Sequence, residues 1–189
     1  MWNEEKIVDY LKVHLKENRF QHTMGVVKVA EELCEIYGCS KEKAKLAALL
    51  HDAAKYMDDK SILEILKKEN IKIDSNIEKN LSLMHGLCGS YIAKEIMGVE
   101  DDEVLGAIKY HTTGKQNMNL LEKIIYLSDF IEENRKYDGV EELRTLCKID
   151  LNRALLKAFD NTIIYVIKQN QFIHMDTINA RNYLIKTMR

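Results

Sequence analysis

The sequence contains no proline and only eight glycines among its 189 residues. These two residues interrupt helices more strongly than any others, so their scarcity favours an all-helical chain. No apolar run approaches the roughly 20 residues that a membrane-spanning helix needs. The chain also lacks a Gly-x-Ser-x-Gly nucleophile motif and a glycine-rich phosphate loop. These absences exclude serine hydrolases of that type and P-loop enzymes.

Cysteine is sparse as well, and the four cysteines form no Cys-x-x-Cys pair and match no zinc-finger spacing. We expect them to be buried, reduced thiols. The formal net charge of −2 argues against a protein that coats nucleic acid or binds a membrane surface. The acidic, amphipathic start MWNEEKIVDYL is unlike a signal peptide. We therefore expect a cytoplasmic protein that binds neither nucleic acid nor membranes.

Helical periodicity is the strongest positive signal in the sequence. Apolar residues recur at steps of three and four, as in Val26, Val29 and Leu33. The periodic segments predict helices near residues 4–17, 19–37, 41–56, 59–70, 86–97, 101–112, 120–134, 141–147, 151–169 and 177–188. No internal repeat or long linker divides the chain, so we predict a single all-α domain over residues 1–189.

Several residues are placed to begin or end these helices. Asn18 with Gln21, and Asn119 with Glu122, have the spacing of a capping box. Gly38 follows a periodic segment and predicts a helix end.

The segment LAALLHDAAKYM at 46–57 ends an apolar helix face with His51 and Asp52, and Lys55 follows. Burying such groups is costly unless a metal ion or an anionic ligand compensates them. Other residues of these types lie on or beside apolar faces, namely His22, His85, His111 and Asp129. A lone histidine there is usually a packed side chain, but carboxylates are seldom buried unpaired. The number of such positions predicts that these faces converge on one polar pocket.

A pocket of imidazole and carboxylate groups without thiolate suits iron, manganese, zinc or cobalt rather than calcium or a structural zinc. The set is larger than one ion needs and suffices for two ions that share a bridging carboxylate. Because neighbouring helical residues point about 100° apart, His51 and Asp52 are not expected to hold one ion as a same-face pair. We interpret Asp52 as the bridge. Two adjacent metals suit displacement at a phosphate ester.

The order His22, His51-Asp52, Asp129 resembles the H…HD…D signature of the HD-domain phosphohydrolases. Further motifs are similar to those of the YqeK group, the symmetrical diadenosine-tetraphosphate hydrolases of bacteria: RFQHTMGV at 19–26, LLHDAAK at 49–55, MHGLCGSYIA at 84–93, IKYHTTGK at 108–115, YLSDFIEENR at 126–135 and DGVEELR at 138–144. The resemblance extends from about residue 4 to 186. It implies an HD-domain helical bundle with a metal centre between helices. The core would span about 19–135, and helices in 141–189 would complete it.

The resemblance also implies a role for each polar residue. The principal metal, iron in this group, would be held by His22, His51, Asp52 and Asp129, with manganese, cobalt or zinc as alternatives. His85 and His111 would hold a second metal or face the phosphates, and they would join Asp52 and Lys55 in catalysis. The substrate site would be lined by His22, His85 and His111 together with Arg19, Lys55, Thr112, Thr113, Arg135, His174 and Thr177. The chain departs from the group at Met175, where a proline is expected.

The activity implied by the resemblance is cleavage of diadenosine tetraphosphate into two ADP, by attack of a metal-activated water on a β-phosphorus. Lys55 and Arg135 would offset the charge of the transition state. One alternative is another HD activity, such as a nucleotidase or a deoxynucleotide triphosphohydrolase. A second alternative is a non-catalytic nucleotide sensor. The expected ligand is a small nucleotide, and the resemblance further implies a homodimer.

Overall fold

The protein is described by a computed structural model that covers residues 1–73 and 80–188. All regular secondary structure in these ranges is helical. The helices are α1 (Glu4–His14), α2 (Glu17–Tyr37), α3 (Lys41–Leu50), α4 (Asp59–Lys68), α5 (His85–Tyr91), α6 (Asp102–Tyr110), α7 (Leu120–Ile131), α8 (Val140–Ile149), α9 (Leu151–Lys168) and α10 (Met175–Thr187). A 3₁₀ turn, Leu81–Met84, precedes α5, and a π turn, Ile92–Ile96, continues it. The prediction of a single all-α domain is confirmed.

The predicted helix signals were right at two positions and wrong at one. Asn119 and Glu122 form a capping box, in which each side chain accepts a hydrogen bond from the other residue's backbone N–H at 2.9 and 2.8 Å. Gly38 ends α2 with a φ of +74°. The predicted capping pair in α2 is wrong, because the helix already begins at Glu17. Gln21 instead donates to the Glu17 carboxylate at 2.8 Å, one turn earlier.

The predicted helix 41–56 is shorter than expected. Helix α3 ends at Leu50, and the following residues form tighter turns. The backbone N–H of Ala53 bonds to the carbonyl of Leu50, and that of Lys55 to the carbonyl of Asp52. Such bonds over three residues replace the α-helical pattern. Consequently His51 and Asp52 stand at the end of the helix rather than inside it.

The helices pack around α2 and α7. Helix α2 contacts α3, α7 and α8, while α6 packs between α3, α5 and α7. Helix α9 packs against α7 and α8 and carries α10 on its other side. Fully buried residues of the shared core include Leu33, Leu50, Ile108, Ile125 and Phe159. No helix among the described residues has both the length and the apolar character needed to cross a membrane. The proposed division into a core and completing C-terminal helices stays a prediction.

The cysteines differ in part from the expectation of reduced thiols. A disulfide joins Cys34, at the end of α2, to Cys39. Cys88 and Cys147 are buried free thiols, as expected. The error has a local cause, because the left-handed Gly38 turns the chain back and brings Cys39 within 4.7 Å of Cys34, measured between Cα atoms.

Candidate functional site

The histidines and aspartates singled out in the sequence meet between five helices. Each belongs to α2, α7 or an end of α3, α5 or α6, and the set consists of His22, His51, Asp52, His85, His111 and Asp129. All but Asp129 are buried, and Asp52 and His51 have no solvent exposure. The faces predicted to converge are therefore together in the structure.

Asp52 lies at the centre and divides the histidines into two pairs. Its Oδ2 atom is 3.1 Å from Nε2 of His51 and 3.8 Å from Nε2 of His22. Its Oδ1 atom is 3.0 Å from Nε2 of His85 and 3.7 Å from Nε2 of His111. One carboxylate thus presents a different oxygen to each pair, which is the arrangement that a bridging ligand requires.

His51 and Asp52 follow the last residue of α3, and their ligand atoms lie close together although the two residues are neighbours in the chain. The ligand atoms of His51, Asp52 and His111 all lie within 4.8 Å of one another, and so do those of His22, His51 and Asp129. Asp129 closes the second group, because its Oδ1 is 2.9 Å from Nε2 of His22. His51 is common to both groups.

Backbone carbonyls orient three of the imidazole rings in the same way. The Nδ1 atoms of His51, His85 and His111 each face the carbonyl oxygen three residues earlier, at 2.6, 2.6 and 2.8 Å. A carbonyl oxygen only accepts hydrogen bonds, so Nδ1 carries the proton in each ring. Each Nε2 then presents a lone pair to the pocket. This is the tautomer and orientation that a metal-binding histidine needs.

His22 reaches the same orientation through Glu132, a residue that the sequence reasoning missed. Nδ1 of His22 lies 3.0 Å from Oε1 of Glu132, whose side chain is almost fully buried. The space for this carboxylate is provided by Gly25, where a Cβ atom would lie 2.6 Å from Oε2. A glycine one turn after His22 was a visible signal, but only the fold shows what fills the space.

The electrostatics of the pocket keep its donors in the forms that bind cations. Burial alone would raise the pKa of Asp52, but the imidazoles of His51, His111 and His85 around the carboxylate hold it well below its ordinary value. Burial likewise opposes ionisation of Asp129, yet the neighbouring His22 and Arg135 side chains keep the pKa of Asp129 well below its ordinary value. Burial lowers the pKa of His85 to about 4. At neutral pH the carboxylates are ionised and His85 is neutral.

A divalent metal fits this donor set. Among the described residues, the buried atoms without a hydrogen-bond partner include Nε2 of His22, Nε2 of His51 and both carboxylate oxygens of Asp52. Buried polar atoms are normally satisfied, so several unsatisfied ones aimed at a common point indicate a missing partner. Imidazole nitrogens and carboxylate oxygens are ligands that divalent transition metals accept together.

The predicted cationic residues also reach the cluster. The Arg19 guanidinium forms an ion pair with the Asp52 carboxylate. Lys55 Nζ is 3.3 Å from Nε2 of His85 and 3.9 Å from Oδ1 of Asp52. Arg135 pairs with the Asp129 side chain and donates its Nε–H to the Asp129 backbone carbonyl at 2.7 Å. Positive charge therefore borders the pocket at three points.

Three of the remaining predicted residues, Thr112, Thr113 and His174, line a separate cleft. This cleft, which we call the threonine cleft, has a volume of about 300 Å³ and is lined by Thr112, Thr113, Tyr110, Leu87 and His174, among others. Thr112 and Thr113 directly follow His111, so the cleft adjoins the His85–His111 side of the cluster.

The C-terminal helix α10 closes one wall of the threonine cleft. Its Thr177 is buried and donates its hydroxyl to the backbone carbonyl of Thr113 at 2.9 Å. Nδ1 of His174 accepts from the backbone N–H of Asp176 at 3.2 Å and so caps α10. Met175 is the first residue of the helix, a position that suits proline because its N–H has no helical partner. Methionine is accommodated there without loss of the helix start.

Comparisons with known proteins agree with this architecture. The HD domain family matches residues 19–134. The chain is 44% identical to the symmetrical bis(5'-nucleosyl)-tetraphosphatase of Halalkalibacterium halodurans, over 97% of each chain. It is 39% identical to the Bacillus subtilis protein of the same name, over 97% of this chain and 98% of the relative.

A solved structure extends the agreement to three dimensions. A crystal structure from Clostridium acetobutylicum, described as a predicted HD superfamily hydrolase involved in NAD metabolism, is 48% identical and superposes with a TM-score of 0.96 over 99% of both chains. The family match and the relatives together cover nearly the whole chain. The chain therefore belongs to the HD domain family and, within it, to the YqeK group that its motifs predicted.

Proposed function

We propose that the protein is a metal-dependent phosphohydrolase that cleaves diadenosine tetraphosphate symmetrically into two ADP. The observation that carries the proposal is the placement of Asp52, whose two oxygens face two separate pairs of histidine nitrogens. Relatives of nearly equal length that bear the name of this activity support the choice of substrate.

The proposed metal ligands are His22, His51, Asp52 and Asp129, with His85 and His111 as ligands of a second ion or as phosphate contacts. When bound, such ions supply a water of lowered pKa and positive charge beside the phosphoryl oxygens. We propose iron as the native metal, with manganese, cobalt and zinc as alternatives that the same donors accept.

The chain's own residues would bind the polyphosphate and balance its charge. Lys55 and Arg135 border the pocket and are proposed to contact the phosphates, where positive charge stabilises the transition state. Arg19 is proposed to act in the same way from its ion pair with Asp52. His85, with its pKa lowered to about 4, stays neutral and keeps a lone pair toward the site.

The threonine cleft is the proposed site of one adenosine. Its support is its position beside His111 and its lining of apolar side chains with a few polar groups, which is typical of small-molecule sites. Thr112, Thr113 and His174 would contact the nucleoside directly. Thr177 would act by holding the Thr113 carbonyl. A cytoplasmic location and a homodimer stay predictions from the sequence.

The test is identification of the reaction products. Purified protein is incubated with iron(II) or manganese and diadenosine tetraphosphate, and the nucleotides are separated by anion-exchange chromatography. ADP as the sole product is the expected result. ATP with AMP would overturn the assigned cleavage point. Hydrolysis of mononucleotides alone would favour the other HD activities, and metal and nucleotide binding without turnover would favour a sensor.

A further inference from the structure

A second cleft opens beside the metal ligands, and different residues line it from those of the threonine cleft. It has a volume of about 350 Å³, and Asp129 and Arg135 form its border with the ligand cluster. Its other walls are Phe130, Tyr137 and Tyr165 with Asn161 and Thr162. We call it the aromatic cleft. It shares no lining residue with the threonine cleft.

The lining of the aromatic cleft is suited to a flat, uncharged ring. Tyr165 and Tyr137 are 61% and 37% exposed, so a ligand in the cleft can reach their side chains. Tyr137 is held in place by a hydrogen bond from its hydroxyl to the Phe130 carbonyl at 3.0 Å. Exposed aromatic faces bind nucleobases by stacking, and this stacking is tolerant of base identity. The side-chain amide of Asn161 offers both a donor and an acceptor for the edge of a base.

The charge at the border of the cleft favours a nucleotide over a free base. Arg135 lies where the aromatic cleft meets the metal ligands, and its guanidinium pairs with Asp129. A phosphate chain running from the metal centre into this cleft would therefore pass a fixed positive charge before its nucleoside reached the tyrosines. Arginine is well suited to such phosphate contacts.

The symmetry of the reaction supplies the independent reason for two nucleoside sites. A cut at the midpoint places the central phosphates at the metal ligands and sends one nucleoside out on each side. Asp52 faces His85 and His111, and hence the threonine cleft, through Oδ1. Through Oδ2 it faces His22, which contacts Asp129 at the border of the aromatic cleft. The two clefts thus lie on the two sides of Asp52.

From these observations we infer that the aromatic cleft binds the second adenosine of the dinucleotide, by stacking of its base on Tyr165 and Tyr137. This assignment rests on the proposed function. It also accounts for symmetric cleavage, because a nucleoside held on each side of Asp52 keeps the midpoint of the tetraphosphate at the metal centre.

The experiment compares Tyr165→Ala with two controls. Tyr165→Phe keeps the ring, and Ile167→Ala removes another exposed side chain of α9 that lies outside the cleft. Because Tyr165 is largely exposed, its replacement is expected to leave the fold intact, which a thermal melt checks. The quantities measured are KM for diadenosine tetraphosphate and the inhibition constant of adenosine 5′-tetraphosphate, which carries a single nucleoside.

Tyr165→Ala is expected to raise KM for the dinucleotide about tenfold or more, which corresponds to the loss of one base–aromatic stack. The inhibition constant of adenosine 5′-tetraphosphate should rise only about twofold, because its one nucleoside can still use the threonine cleft. Ile167→Ala should match the wild type, and Tyr165→Phe, which keeps the ring, should recover most of the affinity that Tyr165→Ala loses. A dinucleotide KM within about twofold of wild type in Tyr165→Ala, or equal losses for both compounds, would overturn the inference. Failure of the proposed function itself would show in the wild type, as absence of ADP from diadenosine tetraphosphate.

Discussion

Glu132 is expected to control how tightly the protein retains its metal, although it is not a proposed ligand. Its Oε1 atom lies 3.0 Å from Nδ1 of His22, and its Oε2 accepts from the backbone N–H of Asn134 at 2.7 Å. Both carboxylate oxygens thus receive N–H donors, in a place with almost no solvent. Glu132 fixes the ring of His22 so that Nε2 faces the pocket.

The size of the effect can be worked out from this geometry. In Glu132→Gln the side chain keeps its shape, but its NH₂ group must face the N–H of either His22 or Asn134. One hydrogen bond is lost and two donors oppose each other in a buried site. Removal of such a carboxylate partner typically weakens metal binding by about 10- to 100-fold. That range corresponds to about 1.4–2.8 kcal/mol of binding free energy.

The assay is titration calorimetry of the metal-free protein with manganese, supported by the metal content of the protein after dialysis. Glu133→Gln is the matched control, because this neighbour is exposed and pairs with the surface residue Lys28, at 3.1 Å. Gly25→Ala provides an independent route to the same loss, since the added Cβ would lie 2.6 Å from Oε2 of Glu132. When Glu132 is already replaced by alanine, Gly25→Ala should weaken manganese binding much less.

Equal manganese affinity in Glu132→Gln and Glu133→Gln would refute this reasoning. It would mean that His22 keeps its orientation without the carboxylate. The metal-free variants should also unfold cooperatively on heating. This control shows that a weaker metal affinity does not come from a damaged fold.

Three further predictions follow from individual contacts. Asp52→Asn should abolish both hydrolysis and metal retention, because it removes the negative charge shared by the two histidine pairs; wild-type metal content by elemental analysis would contradict this. The metal-free protein should lose stability as the pH falls from about 6.5 to 4, since the unfolded chain then protonates His85 while the folded chain, with its pKa of about 4, does not. Urea unfolding measured across this pH range should show the free energy of unfolding falling by on the order of 3 kcal/mol, and His85→Gln should reduce this fall. A stability difference between the two proteins that does not change with pH would contradict the prediction. Gly114→Ala should destabilise by about 1–3 kcal/mol more than Gly38→Ala. Both glycines have positive φ, but only at Gly114 would a Cβ meet a ring atom of Phe159, at 2.6 Å, so equal urea midpoints would contradict the steric account.

The helical fold was largely predictable because its signals are local. Capping pairs such as Asn119 and Glu122 act over a single turn, and apolar periodicity acts over a few turns. The errors also had local causes that sequence patterns do not resolve. The chain leaves α3 at Leu50 through three-residue hydrogen bonds, and the turn at Gly38 brings Cys34 and Cys39 together.

Part of the chemistry of the site could also be predicted from local sequence patterns. Histidines and aspartates on apolar faces were visible as exceptions to the usual pattern of buried side chains. The threonines and His174 were named only through the family resemblance, and they surround a cleft beside the metal ligands. Glu132 was not predicted, because acidic residues are common at helix ends and no local sequence pattern connects Glu132 to His22.

The sequence by itself determined that the chain is helical and which polar side chains its buried faces carry, because both depend on residues within one or two helical turns. Only the tertiary structure decided which oxygen of Asp52 faces which histidines and which carboxylate orients His22. His22 and Glu132 are 110 residues apart in the chain, and their contact depends on how α2 packs against the end of α7. Helix packing brings together side chains from distant segments, and it is this packing, rather than any local pattern, that sets the geometry of the site.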